Sequence, residues 1–114
     1  MEISVVLPCL NEVETLSICI KKAKKQIKNL KIRGEIIIAD NGSTDGSLEI
    51  AKKLGAKIVN IKNKGYGNAL SGGIKKAKGK YILIADSDDS YNLNDLPKFY
   101  KKIKQGYDII QGCR

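Results

Sequence analysis

Short, largely apolar runs recur along this chain, each leading through a polar turn into apolar positions at helical spacing, and this pattern leaves few folds open to it. Ile3-Ser4-Val5-Val6-Leu7-Pro8, Glu35-Ile36-Ile37-Ile38-Ala39, Lys57 to Ile61, Tyr81-Ile82-Leu83-Ile84-Ala85 and Tyr107-Asp108-Ile109-Ile110-Gln111 are too short for helices. They are rich in β-branched residues, and consecutive rather than alternating apolar positions mark strands covered on both faces. Between them the apolar period lengthens. Leu16, Ile20, Ala23, Ile27 and Leu30 form one stripe on a helix of about five turns, with Asn11 as its expected cap, Glu14 completing a capping box and Leu10 stapling the entry. Leu48, Ile50, Ala51 and Leu54 define a second helix, stopped by Gly55. Ala69, Leu70, Gly73, Ile74 and Ala77 define a third, and Leu96, Phe99, Tyr100 and Ile103 a fourth that Asn94 caps, with Pro97 in its first turn. Lys62 to Asn68 reads as a flexible glycine-rich loop. Five strands alternating with four helices require a mostly parallel sheet, an α/β fold.

Two runs finish in acids at what must be the same sheet edge. The second strand leads into Asp40-Asn41-Gly42-Ser43-Thr44-Asp45-Gly46-Ser47, and the Tyr81 run, read as a central strand, opens directly into Asp86-Ser87-Asp88-Asp89-Ser90-Tyr91. Ligands of open α/β sheets bind at the carboxyl ends of the strands, and closely spaced carboxylates there suit a hard divalent cation shared with a phosphate. Taken alone Asp-Ser-Asp is a weak signal, since Asp and Ser are frequent in any turn. Three acids in four residues repel one another, however, and a cation relieves that repulsion.

Composition removes several chemistries. The 114 residues contain no histidine, which excludes Ser-His-Asp and Cys-His catalysis and the commonest zinc ligand. Cys9, Cys19 and Cys113 have no metal-ligand spacing, so buried thiols in a reducing, cytoplasmic setting are expected. No run is long enough to cross a bilayer and no signal-peptide pattern opens the chain. Lys and Arg number 21 against 12 acids, a net charge of +9 that favours an anionic partner. Lys21, Lys22, Lys24, Lys25, Lys28, Lys31 and Arg33 gather on and after the first helix, and Lys75, Lys76, Lys78 and Lys80 near the third. Solvated helix faces are the plain reading of both groups. With one Phe and no Trp, a nucleic-acid stacking platform is not expected. Lys64-Gly65-Tyr66-Gly67 has neither the P-loop ending nor dinucleotide-binding spacing, though its glycines let backbone approach a ligand.

Taken together, Pro8-x-x-Asn11-Glu12, Asp40-Asn41-Gly42-Ser43-Thr44-Asp45-Gly46, Gly65-Tyr66-Gly67-Asn68-Ala69, Asp86-Ser87-Asp88-Asp89-Ser90-Tyr91 and Gly112-Cys113-Arg114 resemble the family 2 glycosyltransferases of the GT-A fold. The order is most similar to the dolichol- and polyprenyl-phosphate mannosyl- and glucosyltransferases. The resemblance implies a Rossmann-like three-layer α/β/α domain in which residues 1–114 form the nucleotide-sugar-binding part, truncated at its C-terminal side. It implies that Pro8, Leu10, Glu12, Ala39, Asp40, Asn41 and Gly65 bind the nucleoside side of the donor. Asp86 and Ser87 would meet donor sugar or ribose. Asp88 would be the main ligand of Mg²⁺ or Mn²⁺, with Asp86 and Ser90 beside it, and Arg114 would meet the diphosphate. Asp86, Asp88 and Arg114 are the expected catalytic set. Asn41 stands where many relatives carry a second Asp, and Ser90 where some mannosyltransferases carry Gln.

The activity so implied is inverting transfer of a hexose from a UDP- or GDP-sugar to a polyprenyl or dolichyl phosphate, at the cytoplasmic face of a membrane and without nucleic acid. Growing charge on the leaving nucleoside diphosphate needs cationic stabilisation, and an acceptor phosphate, already anionic, needs no histidine base. Nucleotidyl transfer is disfavoured because the first turn, Pro8-Cys9-Leu10-Asn11, lacks a glycine-rich basic loop. Nucleotide-sugar binding without turnover, transfer to a glycan hydroxyl in cell-surface polysaccharide synthesis, and nucleic-acid binding through the lysine faces, which predicts steeply salt-dependent affinity, remain as rivals.

Overall fold

The computed structural model describes residues 1–85 and 92–105. Strand β1 (Ile3–Cys9) is buried at every position. It is followed by α1 (Val13–Asn29), β2 (Gly34–Asp40), α2 (Ser47–Lys53), β3 (Lys57–Asn60), α3 (Tyr66–Lys76), β4 (Tyr81–Ile84) and α4 (Leu96–Lys104). Among the described residues the sheet has the order β3-β2-β1-β4, and every pairing is parallel.

The pleat divides the core into two layers. On one face Ile3, Val5, Leu7 and Cys9 of β1 pack with Ile36 and Ile38 of β2 under Leu16, Cys19, Ile20, Ala23 and Ile27 of α1. Ala51 of α2 and Leu96 of α4 close the same layer. On the other face Val6, Ile37 and Ala39 meet α3 through Ala69. The result is the three-layer α/β/α architecture that the resemblance implied, on the parallel sheet that the alternation required. Helix α3 lies unusually low on its face: a methyl on Gly73 would stand 2.6 Å from Val6 Cγ1 and 3.2 Å from Ala39 Cβ. At the opposite edge the turn before β4 presses on β1, where a Cβ on Gly79 would come within 2.5 Å of the Ser4 backbone nitrogen. Ser4 Oγ accepts from Gly79 N at 2.8 Å and donates to Glu35 at 2.6 Å, and Glu35 also accepts from Lys78 N. Burial pushes the Glu35 carboxyl up, but these hydrogen bonds and the charges of Lys57 and Lys78 bring it below its ordinary value.

Several local expectations are corrected. The run at Tyr81 is not central among the described residues: it pairs with β1 alone, Ile82 is 36% exposed and Ile84 is half-buried. The middle position belongs to β1, which has β2 on one side and β4 on the other. Tyr66, Gly67 and Asn68 are not loop but the first turn of α3. Asn11 does not cap α1; it takes φ +53°, and Glu12 occupies the cap position without a side-chain bond to the helix. Asn94 is not a helix cap either. Asn92 accepts from Asn94 N to start a short 3₁₀ turn over Leu93–Asp95, and α4 follows with Pro97 in its first turn. Cys9 and Cys19 are buried thiols, as expected. The strand expected over residues 107–111, and Cys113, lie outside the described residues.

Candidate functional site

Parallel strands bring their carboxyl ends to one edge, and here the register sets Pro8 beside Ala39 and Cys9 beside Asp40. Pro8 and Ala39 share the α3 side of the sheet, where Ala39 is fully buried. Three loops rise from this edge: residues 10–12 after β1, 41–46 after β2 and 61–65 after β3. The expected donor-side residues Pro8, Leu10, Glu12, Ala39, Asp40, Asn41 and Gly65 are therefore brought to one edge, with Leu10 exposed and Glu12 half-buried. Gly65, at φ +123°, takes a backbone turn that a side chain would resist.

Asp40 is 1% exposed, and its carboxylate turns back into its own loop. Gly42 N and Ser43 N each donate to Oδ2 at 2.9 Å, and the Ser43 hydroxyl donates to Oδ1. Such bonds hold the loop closed, an Asx turn built on a buried acid. Asn41 does the equivalent work across the edge. Its Nδ2 donates to the carbonyls of Ile61 and Asn63, at 3.4 and 3.3 Å, tying the loop after β3 to the end of β2.

The loops after β1 and β2 are latched together by residues that local sequence does not single out. Ser43 Oγ accepts from Asn11 N at 2.9 Å, and Asn11 Oδ1 accepts from Thr44 N at 2.8 Å. Asp45 Oδ2 accepts from Val13 N at the start of α1, while Oδ1 accepts from Ser47 N and the Ser47 hydroxyl at the start of α2. One carboxylate thus satisfies orphan N–H groups at two helix N-termini, where the helix dipoles favour negative charge. The Ser47 hydroxyl above all, with the N–H groups of Val13 and Ser47, holds the Asp45 carboxyl below its ordinary value of 3.8 against the effect of burial. Sequence reasoning takes Ser43, Thr44 and Asp45 as part of a motif without giving them this task. The only signal in the sequence is a loop with hydroxyl and carboxylate acceptors to spare, and Asn11, with the chemistry of a cap, masks the need for them.

At the far side, Val6 lies beside Ile84 and Ala85 N donates to the Val6 carbonyl at 3.1 Å, so β4 also runs toward this edge. Asp86, Ser87, Asp88, Ser90 and Arg114, the residues expected to hold the cation and diphosphate, lie outside the described residues. Among the described residues no three His, Cys, Asp or Glu side chains are grouped to hold a metal ion.

A family model described as Glycosyl transferase family 2 matches residues 4–114. The chain belongs to glycosyltransferase family 2. Its similarity to curated members extends to a low-salt glycan biosynthesis hexosyltransferase of Haloferax volcanii, 36% identical over 113 residues, 98% of this chain and 27% of the relative. A dolichyl-phosphate hexose transferase of the same organism is 37% identical over 82 residues, 72% of this chain and 36% of the relative. The chain thus spans about a quarter to a third of these two relatives. Among solved structures, glucosyl-3-phosphoglycerate synthase of Mycobacterium tuberculosis with Mn²⁺, UDP and phosphoglyceric acid aligns with a TM-score of 0.80 at 29% identity, over 95% of this chain and 40% of that one. Mannosyl-3-phosphoglycerate synthase of Rubrobacter xylanophilus, at 23% identity and a TM-score of 0.71 over 77% of this chain and 31% of that one, shares the fold. The Rossmann-like GT-A expectation holds.

Proposed function

We propose that this chain is the donor-binding part of an inverting glycosyltransferase that moves a hexose from a UDP- or GDP-sugar to a polyprenyl or dolichyl phosphate. The observation that carries the reading is the convergence of the loops after β1, β2 and β3 on one strand edge, in a member of this family. Pro8 and Ala39 would form the floor for the base, with Leu10 and Glu12 on one side and Asn41 and Gly65 on the other. Asp40 would act chiefly by shaping its loop, since both its oxygens already accept hydrogen bonds. The oxygen donors of Asp86, Asp88 and Ser90 would hold Mg²⁺ or Mn²⁺, ligands that suit a hard cation. That ion would neutralise charge on the departing diphosphate. Arg114 would meet the same diphosphate, and Asp86 and Ser87 the sugar or ribose. An acceptor phosphate oxygen attacks the anomeric carbon, the bond to the diphosphate oxygen breaks, and the nucleoside diphosphate leaves with the electron pair. No proton need be removed from such an acceptor, in keeping with a chain that has no histidine.

The dolichyl-phosphate hexose transferase relative supports a lipid-phosphate acceptor. The described residues include no helix long and apolar enough to cross a membrane. A lipid-phosphate acceptor would set the reaction at the cytoplasmic face of a bilayer. The exposed Lys21, Lys25 and Lys28 along α1 suit an anionic surface. Calorimetric titration of UDP and GDP with Mn²⁺ into the wild-type chain and Asp88→Ala tests the site. Metal-dependent binding is expected in the first and not in the second; undiminished binding in Asp88→Ala overturns the assignment. Transfer of labelled hexose to polyprenyl phosphate rather than to 3-phosphoglycerate tests the acceptor, and binding with transfer to neither marks a nucleotide-sugar-binding module.

A further inference from the structure

Strand β3 is an edge strand among the described residues, paired through Lys57–Asn60 with β2 on one side only. Ile61 N donates to the Asp40 carbonyl at 2.8 Å, which fixes the parity of the ladder: odd-numbered residues bond to β2, while Ile58 and Asn60 turn their N–H and C=O groups outward. A groove of about 610 Å³ follows this open side, lined by all of β3 and by Lys75, Lys76, Ala77 and Lys78 where α3 ends. Four of its eight lining residues are lysines and none is an acid, and all four lysines are exposed. The neighbouring acid, Glu35, is engaged by the Ser4 hydroxyl and Lys78 N. Val59 and Ala77 give the groove an apolar strip beneath the charges.

We propose that this groove binds an extended acidic segment of another protein, which adds as a further strand to β3 and sets its carboxylates against Lys57, Lys75, Lys76 and Lys78. Strand addition draws affinity from main-chain bonds and specificity from alternate side chains, and this edge offers both. Two outward residues present two donors and two acceptors. Side chains of an added strand that face the α3 side meet the lysines, in steps of two along the groove. A second copy of this chain does not fit, because pairing β3 against itself would bring the two lysine groups together. Lysine on an edge strand is itself a guard against such self-pairing. That role accounts for Lys57, which is on the strand, but not for Lys75, Lys76 and Lys78, which are not.

The test is fluorescence anisotropy of the chain with a labelled peptide about nine residues long, alternating Glu and Val, long enough to run past a strand of this length. The wild-type chain should bind it. Binding should weaken by about tenfold or more in the triple variant Lys75→Gln, Lys76→Gln, Lys78→Gln, whose folded state is checked by circular dichroism. It should weaken as much when the peptide is N-methylated at every residue, which keeps its charge and removes its ladder donors. Absence of binding, equal binding of the N-methylated peptide, or an unaffected triple variant overturns the proposal. So does binding of duplex RNA or of phosphatidylserine vesicles that is tighter than that of the peptide and is lost in the same triple variant, which leaves the α1 lysines in place.

Discussion

Replacing Gly73 with Ala puts the close seating of α3 to a direct thermodynamic test. A Cβ at this position would lie 2.6 Å from Val6 Cγ1 and 3.2 Å from Ala39 Cβ. Comfortable carbon contacts begin at about 3.5 Å, so the helix must rise by about 1 Å or the sheet must give. Val6 and Ala39 are fully buried, and a β-branched side chain in a packed strand has no empty rotamer to enter. Overpacking of this kind costs about 1–3 kcal/mol, while Gly→Ala in a helix returns about 1 kcal/mol. Gly67, in the first turn of the same helix, has no described atom beyond its own helix backbone and chain neighbours within 4 Å of the point where a methyl would stand, so Gly67→Ala gains the propensity term without the clash. Gly72 faces only the flexible end of Ile61 and should fall between them. The two extremes should differ by about 2 kcal/mol, or about 8 °C in melting temperature for a chain of this size. Calorimetry or urea denaturation followed by circular dichroism reads the gap. A Gly73→Ala chain as stable as Gly67→Ala would refute the reasoning, because helix propensity alone predicts no difference.

Three further outcomes follow from the hydrogen bonds. Asp45→Asn should lower the urea midpoint, because one acceptor then serves the starts of two helices. The folded-state carboxyl of Asp45 is depressed, so its contribution is complete above the ordinary value of 3.8 and disappears as pH falls through the folded value; the gap between wild type and variant should close in that acidic range. Tyr100 donates its hydroxyl to Glu2, and that bond, with burial and the Glu2 charge, pushes the phenol up to about 12. Because the folded value is the higher one, its contribution is complete below pH 10 and is lost as pH rises toward 12, so wild type should lose stability relative to Tyr100→Phe across that window. Asn41→Asp would set a carboxylate against the carbonyls of Ile61 and Asn63 in place of a donor, at a cost of about 1–3 kcal/mol measured by chemical denaturation.

The strands and the stripes of α1 and α2 are legible because burial on both faces of a sheet, or on one face of a helix, writes a period into the residues themselves. Strand order is not. The Tyr81 run is as apolar as the Ile3 run, yet Ile82 is exposed while β1 is buried throughout. Nothing local distinguishes them, since position in a sheet is set by what packs beside a strand. The start of α1 escapes for a related reason: Asn11 has the chemistry of a cap, but the acceptor for Val13 N is Asp45, which arrives from the next loop. Gly65-Tyr66-Gly67 reads as loop because its glycines disfavour a helix, yet α3 starts at Tyr66 and runs through Gly67 because Ala69 and Gly73 seat it on the sheet. Of the candidate site, the gathering of Pro8, Ala39, Asp40 and Asn41 is foreseeable from the parallel register. The inward turn of the Asp40 carboxylate is not.

The middle place of β1 also governs the order in which the molecule can be made. β1 is synthesised before either of its two neighbours, residues 34–40 and 81–84. A nascent chain can cover one side of this apolar strand once residue 40 or so has emerged, and must then carry the other side open until about residue 85. Any product released in that interval bears a bare, largely hydrophobic strand edge, the usual template for aggregation. The closing of β4 onto β1 is thus the step that covers the second side of the most deeply buried strand.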